Sequence, residues 1–130
     1  TWADTIQVGE VRASVDEILK LGAHLTDERI ERINAVVAAR SLHMVSVLEN
    51  IYDRGNVSAV MRSAEAFGFM GLYLIDQPGG KFKAANRVTK GAEKWLDVRP
   101  HASALSAVGD LKARGYQVWA TDLNTTHSID

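Results

Sequence analysis

Asn56 and Arg62 are the residues whose types and spacing suit them to chemistry in this 130-residue chain. They lie in residues 48–69, a run that predicts the end of a buried strand, a polar turn and a helix that begins at Asn56, a residue type suited to cap the first helical turn. An arginine on the outward face of such a helix can grip a phosphate through two hydrogen bonds or polarise a hydroxyl group. From spacing alone, the alternative is a solvated Arg62 between Ser58 and Glu65.

The helix predicted after the polar turn has one apolar face. Its apolar residues recur at helical spacing, and Gly68 follows them as the residue type that most readily ends a helix in a left-handed conformation. We expect Ser58, Arg62 and Glu65 on the opposite, outward face. The residues expected in the core are Val57, Val60, Met61, Ala64 and Phe67. A strand, a polar turn and a helix with an outward arginine are typical of the binding edge of an α/β sheet.

The rest of the chain alternates between helical and strand patterns. A helix is expected within residues 1–25, ending at Gly22, and a second helix opens at Thr26 with Ile30, Ile33, Val36 and Val37 on its buried face. Strands are predicted at residues 43–49, covered on both faces, and at residues 71–76 and 116–121. A helix is predicted over residues 102–115, with Leu105, Val108 and Leu111 facing in. Trp95 is expected in the core rather than as a base-stacking platform, because Leu96 and Val98 continue an apolar strand. The fold class is therefore α/β, with a parallel sheet built from βα units.

Composition excludes several kinds of site. The chain has no cysteine, which rules out disulfides, thiolate catalysis and cysteine-based zinc sites. The four histidines show no ligand spacing, so no metal is expected. No apolar run is long enough for a transmembrane helix, and no signal peptide is recognisable. The absence of cysteine fits a cytoplasmic protein, which is the localisation we expect. The chain begins with Thr1 rather than methionine, which favours a piece processed or excised from something longer.

Resemblance to a known family adds to these patterns. The run that contains the two candidate residues reads Glu49-Asn50-x-x-Asp53-x-Gly55-Asn56-x-Ser58-Ala59-x-x-Arg62-x-Ala64-x-x-Phe67-Gly68. It resembles the first motif of the SpoU, or TrmH, family of RNA 2'-O-ribose methyltransferases, in which the matching Asn and Arg are functional. Residues 26–33, 39–41, 90–95 and 116–123 are also similar to the branch of the family that methylates a guanosine of tRNA, and the match runs from about residue 25 to about residue 123.

The resemblance implies a reaction and roles for named residues. It implies methyl transfer from S-adenosylmethionine to a ribose 2'-hydroxyl of tRNA, on a guanosine of the D-loop, by a homodimer without a metal. Arg62 is expected to grip a phosphate or polarise the hydroxyl, because an arginine stays protonated and is a poor base. Asn56 is expected to position the turn and Arg62. Glu49 and Asn50 are candidates to support those two side chains from behind.

Basic and polar residues outside the motif are assigned to RNA and cofactor by the same resemblance. Arg29, Arg32 and Arg40 match an Arg-rich helix that binds tRNA in relatives, the alternative being a solvated helix face. Lys90 and Lys94 are expected to border the groove for the RNA backbone. One wall of the S-adenosylmethionine pocket is assigned to Thr121, Asp122 and Leu123. The chain then divides into a helical extension that contacts tRNA, residues 1–41, and the N-terminal part of the methyltransferase α/β domain, residues 42–130.

Two further motifs of the family are not in this sequence. Relatives continue into a Gly-x-Glu element and then a motif with Ser-Leu-Asn, which together build a trefoil knot, most of the donor pocket and much of the dimer interface. We therefore expect the N-terminal half of a SPOUT-type fold, which alone binds the methyl donor weakly or not at all. Two other functions stay open at this point. One is a non-catalytic RNA-binding module, and the other is a different α/β enzyme that uses Asp53, Asn56 and Arg62 on a small phosphorylated substrate.

Overall fold

Two helices cover opposite faces of a three-stranded parallel sheet. The structure is a computed structural model that describes residues 5–8, 11–75 and 91–128. The sheet has the order β3-β4-β5, with β3 at Ser41–Glu49, β4 at Phe69–Ile75 and β5 at Asp97–His101. Helix α3, Arg54–Ala66, connects β3 to β4, and helix α4, Ala104–Ala113, follows β5. Both strand pairs are parallel, so the expected α/β class and parallel sheet are confirmed.

The core consists of two clusters on the two faces of β4. Because successive side chains of a strand point to opposite faces, Leu72 and Leu74 pack under α3 while Tyr73 and Ile75 pack under α4. The α3 side contributes Val57 and Met61, and the α4 side contributes Ala107 and Leu111. Met61, Leu72, Tyr73 and Ala107 are fully buried. The central strand is therefore the element against which both helices are fixed.

The N-terminal part of the chain differs from the expected single helix. Strands β1, Thr5–Val8, and β2, Val11–Ser14, form an antiparallel hairpin, and helix α1 occupies only Val15–Gly22. Ser14 caps α1 in a reciprocal arrangement with Glu17, whose carboxylate accepts the Ser14 backbone N–H at 2.8 Å. The Ser-x-x-Glu spacing is the sequence signal for this start. Helix α2, Asp27–Ala38, begins at Thr26 as predicted, with the Thr26 hydroxyl accepting the Arg29 N–H.

The motif helix α3 starts earlier than predicted, and its buried face is rotated. Asp53 is its N-cap, so the prediction that Asn56 caps the helix is wrong. Ser58, expected outside, is fully buried, whereas Phe67, expected inside, is 77% exposed. Phe67 is the C-cap residue, where the helix has ended and the sheet-facing stripe stops. Gly68 adopts φ +77° after the helix, as expected.

Three other expectations are wrong for physical reasons. Residues 116–121 form no strand, because nothing in the described part of the chain pairs with them in a ladder, and Trp119 is 83% exposed. Strand β3 is not covered on both faces, since its Met44 side chain is 47% exposed. Among the described residues it pairs with β4 along one edge, and its other edge is open. Leu105 is 84% exposed, because α4 faces the sheet with Ala107 and Leu111 instead. The Tyr116 hydroxyl nevertheless donates to the Leu42 carbonyl and ties the start of the last segment to β3.

The described helices include none that has the length and apolar character needed to cross a bilayer. Most α1 and α2 side chains are exposed, and neither helix contributes a buried residue. Ile30, Ile33 and Val36 are half-buried, while Val37 is exposed, so the predicted inner face of α2 is only partly covered.

Candidate functional site

The carboxyl ends of the three parallel strands are level with one another. The register pairs Glu49 of β3 with Ile75 of β4, and Ile75 with His101 of β5. Directly after β3, Asn50 has φ +49° and donates its backbone N–H to the Ile75 carbonyl at 2.8 Å. Asparagine is one of the few residue types other than glycine that adopt this left-handed conformation readily. Glu49 and Asn50 thus lie at the sheet edge where α/β proteins most often bind ligands, and both are exposed.

The turn from this edge into α3 is fixed by Asp53. The Asp53 carboxylate accepts the Gly55 N–H at 2.7 Å, and the Asp53 carbonyl accepts the Asn56 N–H at 3.0 Å. A Cβ atom at Gly55 would lie 3.0 Å from Asp53 Oδ1, so glycine gives the carboxylate room to cap the helix. Asn56 is left with an exposed side chain in the first turn of α3. Its amide is therefore available to a ligand rather than committed to the cap.

Arg62 lies further along the exposed side of α3. From Asn56 to Arg62 the helix advances by about 9 Å and rotates by about 120°, so the two side chains leave the helix in different directions. Arg62 opens onto a pocket of about 660 Å³ between α3 and the 3-10 helix at Ala92–Trp95. Within the described residues, no acidic side chain pairs with its guanidinium. The structure thus keeps Arg62 available, and it does not bring Arg62 into contact with Asn56.

Glu65 does not pair with Arg62, because Arg40 binds its carboxylate. Arg40, the residue before β3, donates to Glu65 Oε1 at 2.7 Å and also to the Glu65 carbonyl. The Arg40 side chain is only 7% exposed, whereas that of Glu65 is 34% exposed. Arg40 therefore neutralises Glu65, the acid three positions after Arg62, and holds the last turn of α3, where the negative end of the helix dipole favours a cation.

The other sequence-predicted site residues fall into separate places. Arg29 and Arg32 are exposed on α2, and Lys94 is exposed on the 3-10 helix. Lys90 lies outside the described residues. The half-buried Trp95 lines the Arg62 pocket rather than the core. Arg40 has the structural contact described above, which leaves Arg29 and Arg32 as the accessible arginines of the predicted RNA-contacting set.

The predicted cofactor residues do not form a pocket by themselves. Thr121, Asp122 and Leu123 are all exposed in irregular chain, and the Asp122 carboxylate accepts the Asn124 N–H at 2.9 Å in a local turn. They line neither of the two cavities that lie beside α3 in the described residues. These three residues alone do not fit around an S-adenosylmethionine molecule. The described part of the chain also contains no cluster of three or more potential metal ligands.

A polar network under α4 was not found by sequence reasoning. The buried Tyr73 hydroxyl donates to Asp110, and Arg114 Nε donates to the same carboxylate at 2.9 Å. His101 stacks on the Tyr73 ring with centroids 4.3 Å apart. Only the spacing of Asp110 and Arg114, four residues apart on one helix, was visible in the sequence.

The network shifts the pKa values of its members. Burial and the hydrogen bond to Asp110 raise the pKa of Tyr73 to about 12. Burial lowers the pKa of His101. Burial would raise the pKa of Asp110, but the hydrogen bonds from Arg114 and Tyr73 outweigh it and leave that pKa lowered. At neutral pH the network therefore holds a neutral tyrosine against an ionised, doubly hydrogen-bonded carboxylate.

Comparisons with known proteins agree on one family. The model of the SpoU rRNA Methylase family matches residues 43–130. The tRNA (guanosine(18)-2'-O)-methyltransferase of Borreliella burgdorferi is 33% identical over 113 residues, which are 84% of this chain and 51% of that protein. The enzyme of the same name from Thermus thermophilus is 33% identical over 98 residues, covering 75% of this chain and 50% of its own length.

The folds agree as well. The crystal structure of the Aquifex aeolicus TrmH/SpoU tRNA modifying enzyme superposes with a TM-score of 0.64 at 26% identity, covering 70% of this chain and 46% of that one. The chain thus spans about half the length of the relatives it matches.

Proposed function

The chain belongs to the SpoU rRNA Methylase family, and on that premise we propose that the intact protein transfers a methyl group from S-adenosylmethionine to a ribose 2'-hydroxyl of tRNA. The proposal rests mainly on the exposure of Arg62. It is exposed on the motif helix and opens onto a pocket, while the nearest acid on that helix is held by Arg40. The choice of tRNA and of a guanosine is supported by the names of the relatives, and its place in the D-loop is proposed from the family resemblance.

The proposed role of Arg62 follows from the chemistry of the hydroxyl. A ribose hydroxyl is a weak nucleophile at neutral pH and must be held in line with the methyl group while its proton is lost. The permanently charged guanidinium grips an RNA phosphate in a bidentate manner and polarises the neighbouring hydroxyl. Asn56 binds the RNA from the exposed first turn of α3, since Asp53 already fixes the turn. Glu49 and the left-handed Asn50 fix the shape of that turn at the end of β3.

The donor pocket belongs to the intact protein in this proposal. Thr121, Asp122 and Leu123 supply at most one wall, because they enclose nothing by themselves. This stretch alone is accordingly expected to bind the donor weakly and to be inactive. The intact protein is proposed to be a cytoplasmic homodimer. Leu19 and Leu21 of α1, 68% and 64% exposed, are candidate contacts in that dimer.

The test is methyl transfer by the intact protein from labelled S-adenosylmethionine to an unmodified tRNA transcript. Label in alkali-resistant dinucleotides identifies the product as a 2'-O-methyl group. Arg62→Ala is expected to lower kcat/KM by about 100-fold or more, as for the loss of a group that stabilises developing charge. Arg62→Lys is expected to recover little, because a lysine lacks the planar fork.

The matched control is Lys112→Ala, which removes an exposed cation of α4 and should leave transfer unchanged. A folded intact protein that transfers no label to any tRNA would contradict the proposal and favour a non-catalytic RNA-binding role. Full activity in Arg62→Ala would remove Arg62 from the reaction.

A further inference from the structure

Phe67 is an aromatic side chain in an unusual setting. It follows the last residue of α3 and is 77% exposed, although the helix before it packs on the sheet. Its ring lies beside that of Phe69, with centroids 6.3 Å apart and planes tilted by 32°. A large aromatic ring that is exposed at the rim of a pocket offers contact area to a ligand.

The pocket beside Phe67 has two aromatic residues and a cation in its wall. It lies between α3 and the 3-10 helix, and its volume is about 660 Å³. Arg62, Ser63 and Phe67 line the α3 side, while Gly91 and Trp95 line the other side. Unstacked RNA bases are commonly bound on aromatic rings and on arginine planes.

The charges around the pocket suit an anionic ligand. Among the described residues that line it, Glu65 is the one acid, and Arg40 neutralises that carboxylate through the 2.7 Å ion pair. Arg62 is exposed in the wall, and Lys94 is exposed on the 3-10 helix next to Trp95. Glu93 and Lys94 of the 3-10 helix do not line the pocket and have opposite charges, so among the described residues the wall carries the positive charge of Arg62 beside aromatic surface, a combination that is complementary to a nucleotide.

We propose that this pocket binds an unstacked nucleotide of the RNA substrate, with the base on the Phe67 and Trp95 rings and the phosphate on Arg62. The inference deepens the proposed function and rests on it for the identity of the ligand as RNA. It assigns Phe67 and Trp95 a substrate-binding role in addition to that of Arg62. Because every base has a stacking face, this contact holds the strand in place without selecting the base.

The experiment compares variants of the intact protein that differ in ring character at one position. Phe67→Leu keeps apolar volume but removes the ring, and we expect about a tenfold rise in the KM and Kd for an unmodified tRNA transcript. The slope of log Kd against log salt concentration should stay the same, because no phosphate contact is lost. Phe67→Tyr keeps the ring and should bind like the wild type. Leu105→Ala, at an exposed position of α4, is the control for loss of surface apolar area.

The outcomes separate this inference from the proposed function. If Phe67→Leu transfers methyl groups as well as the wild type does, with unchanged KM and Kd, the proposed role of the pocket is overturned and the methyltransferase proposal stands. If the wild type binds tRNA without transferring a methyl group, filter-binding Kd values of the same variants still decide the pocket. If the wild type does not bind tRNA, both are overturned. A lowered melting temperature or an altered oligomer in Phe67→Leu, with unchanged Kd, would identify Phe67 as a protein-packing residue and overturn the inference.

Discussion

At the scale of single residues, Arg40 determines the electrostatic setting of Arg62. Two charge-assisted hydrogen bonds from its guanidinium hold Glu65 and the end of α3. We expect Arg40→Met to lower the free energy of unfolding by about 2 kcal/mol, since such bonds contribute about 1.5–3 kcal/mol. Urea unfolding of Arg40→Met, Glu65→Gln and the double variant measures the coupling. A cycle in which the two effects simply add would show that the pair contributes nothing by itself.

His101 is expected to make stability depend on pH. Burial is the main cause that lowers its pKa in the folded state, although Asp110 acts in the opposite direction. The unfolded state then binds more protons than the folded state at acidic pH. The contribution of His101 to the free energy of unfolding is fully present above about pH 6.5, the usual pKa of histidine. It is lost as the pH falls through the lower pKa of the folded state.

The measurement is urea unfolding of the wild type and of His101→Asn at pH 7.5 and pH 5. The wild type should lose more stability between these values than the variant does. His24→Asn changes an exposed residue and is the control. Equal losses in wild type and His101→Asn would exclude His101 as the source of the pH dependence.

At the scale of elements, the junction between α3 and β4 depends on Gly68. Its φ is +77°, and an added Cβ would lie 3.3 Å from the Ala39 carbonyl oxygen. Gly68→Ala is expected to lower the free energy of unfolding by about 1–2 kcal/mol through the left-handed conformation alone. Gly109→Ala, within α4 and with open space around it, should instead raise it by about 0.4–1 kcal/mol. Thermal or urea unfolding of both variants tests the pair, and a shift of equal sign in both would contradict this account.

Sequence patterns predicted those elements whose signal is local. The apolar β4 run, the Thr26 cap and the Gly68 stop all rest on neighbouring residues, and each is present. The predicted cap at Asn56 was wrong because Asp53, three residues earlier, offered a second capping side chain. The expected strand at residues 116–121 was wrong because a ladder partner is not a property of the segment itself.

The candidate site was predictable only in part for the same reason. Arg62 on an exposed helix face follows from helical spacing, and the structure agrees. The pairing of Glu65 with Arg40 does not follow from helical spacing, because the two residues are 25 positions apart. From the sequence, Arg62 was as plausible a partner for Glu65 as Arg40. The exposure of Phe67 also depends on where the sheet ends rather than on its neighbours in sequence.

At the scale of the whole molecule, a net charge of −1 means that RNA binding depends on individual cations rather than on the total charge. Arg29 and Arg32 are exposed on α2, which contributes no buried residue. If both contact tRNA phosphates in the intact protein, replacing them by glutamine should flatten the slope of log Kd against log salt concentration by about two units, one for each contact. Filter binding over a range of salt concentrations measures the slope, and Lys112→Gln on α4 is the control. An unchanged slope would return both arginines to a solvated helix face.

The position of β3 has a practical consequence for handling the protein. Within the described residues, β3 pairs with β4 and presents its other edge unpaired, with Met44 exposed beside it. An open strand edge of this kind is a template on which a second chain can add, and that is how soluble sheets begin to aggregate. Residues 1–130 produced alone are therefore expected to associate as their concentration rises. A charged residue at Met44 is the simplest change to keep them apart during purification.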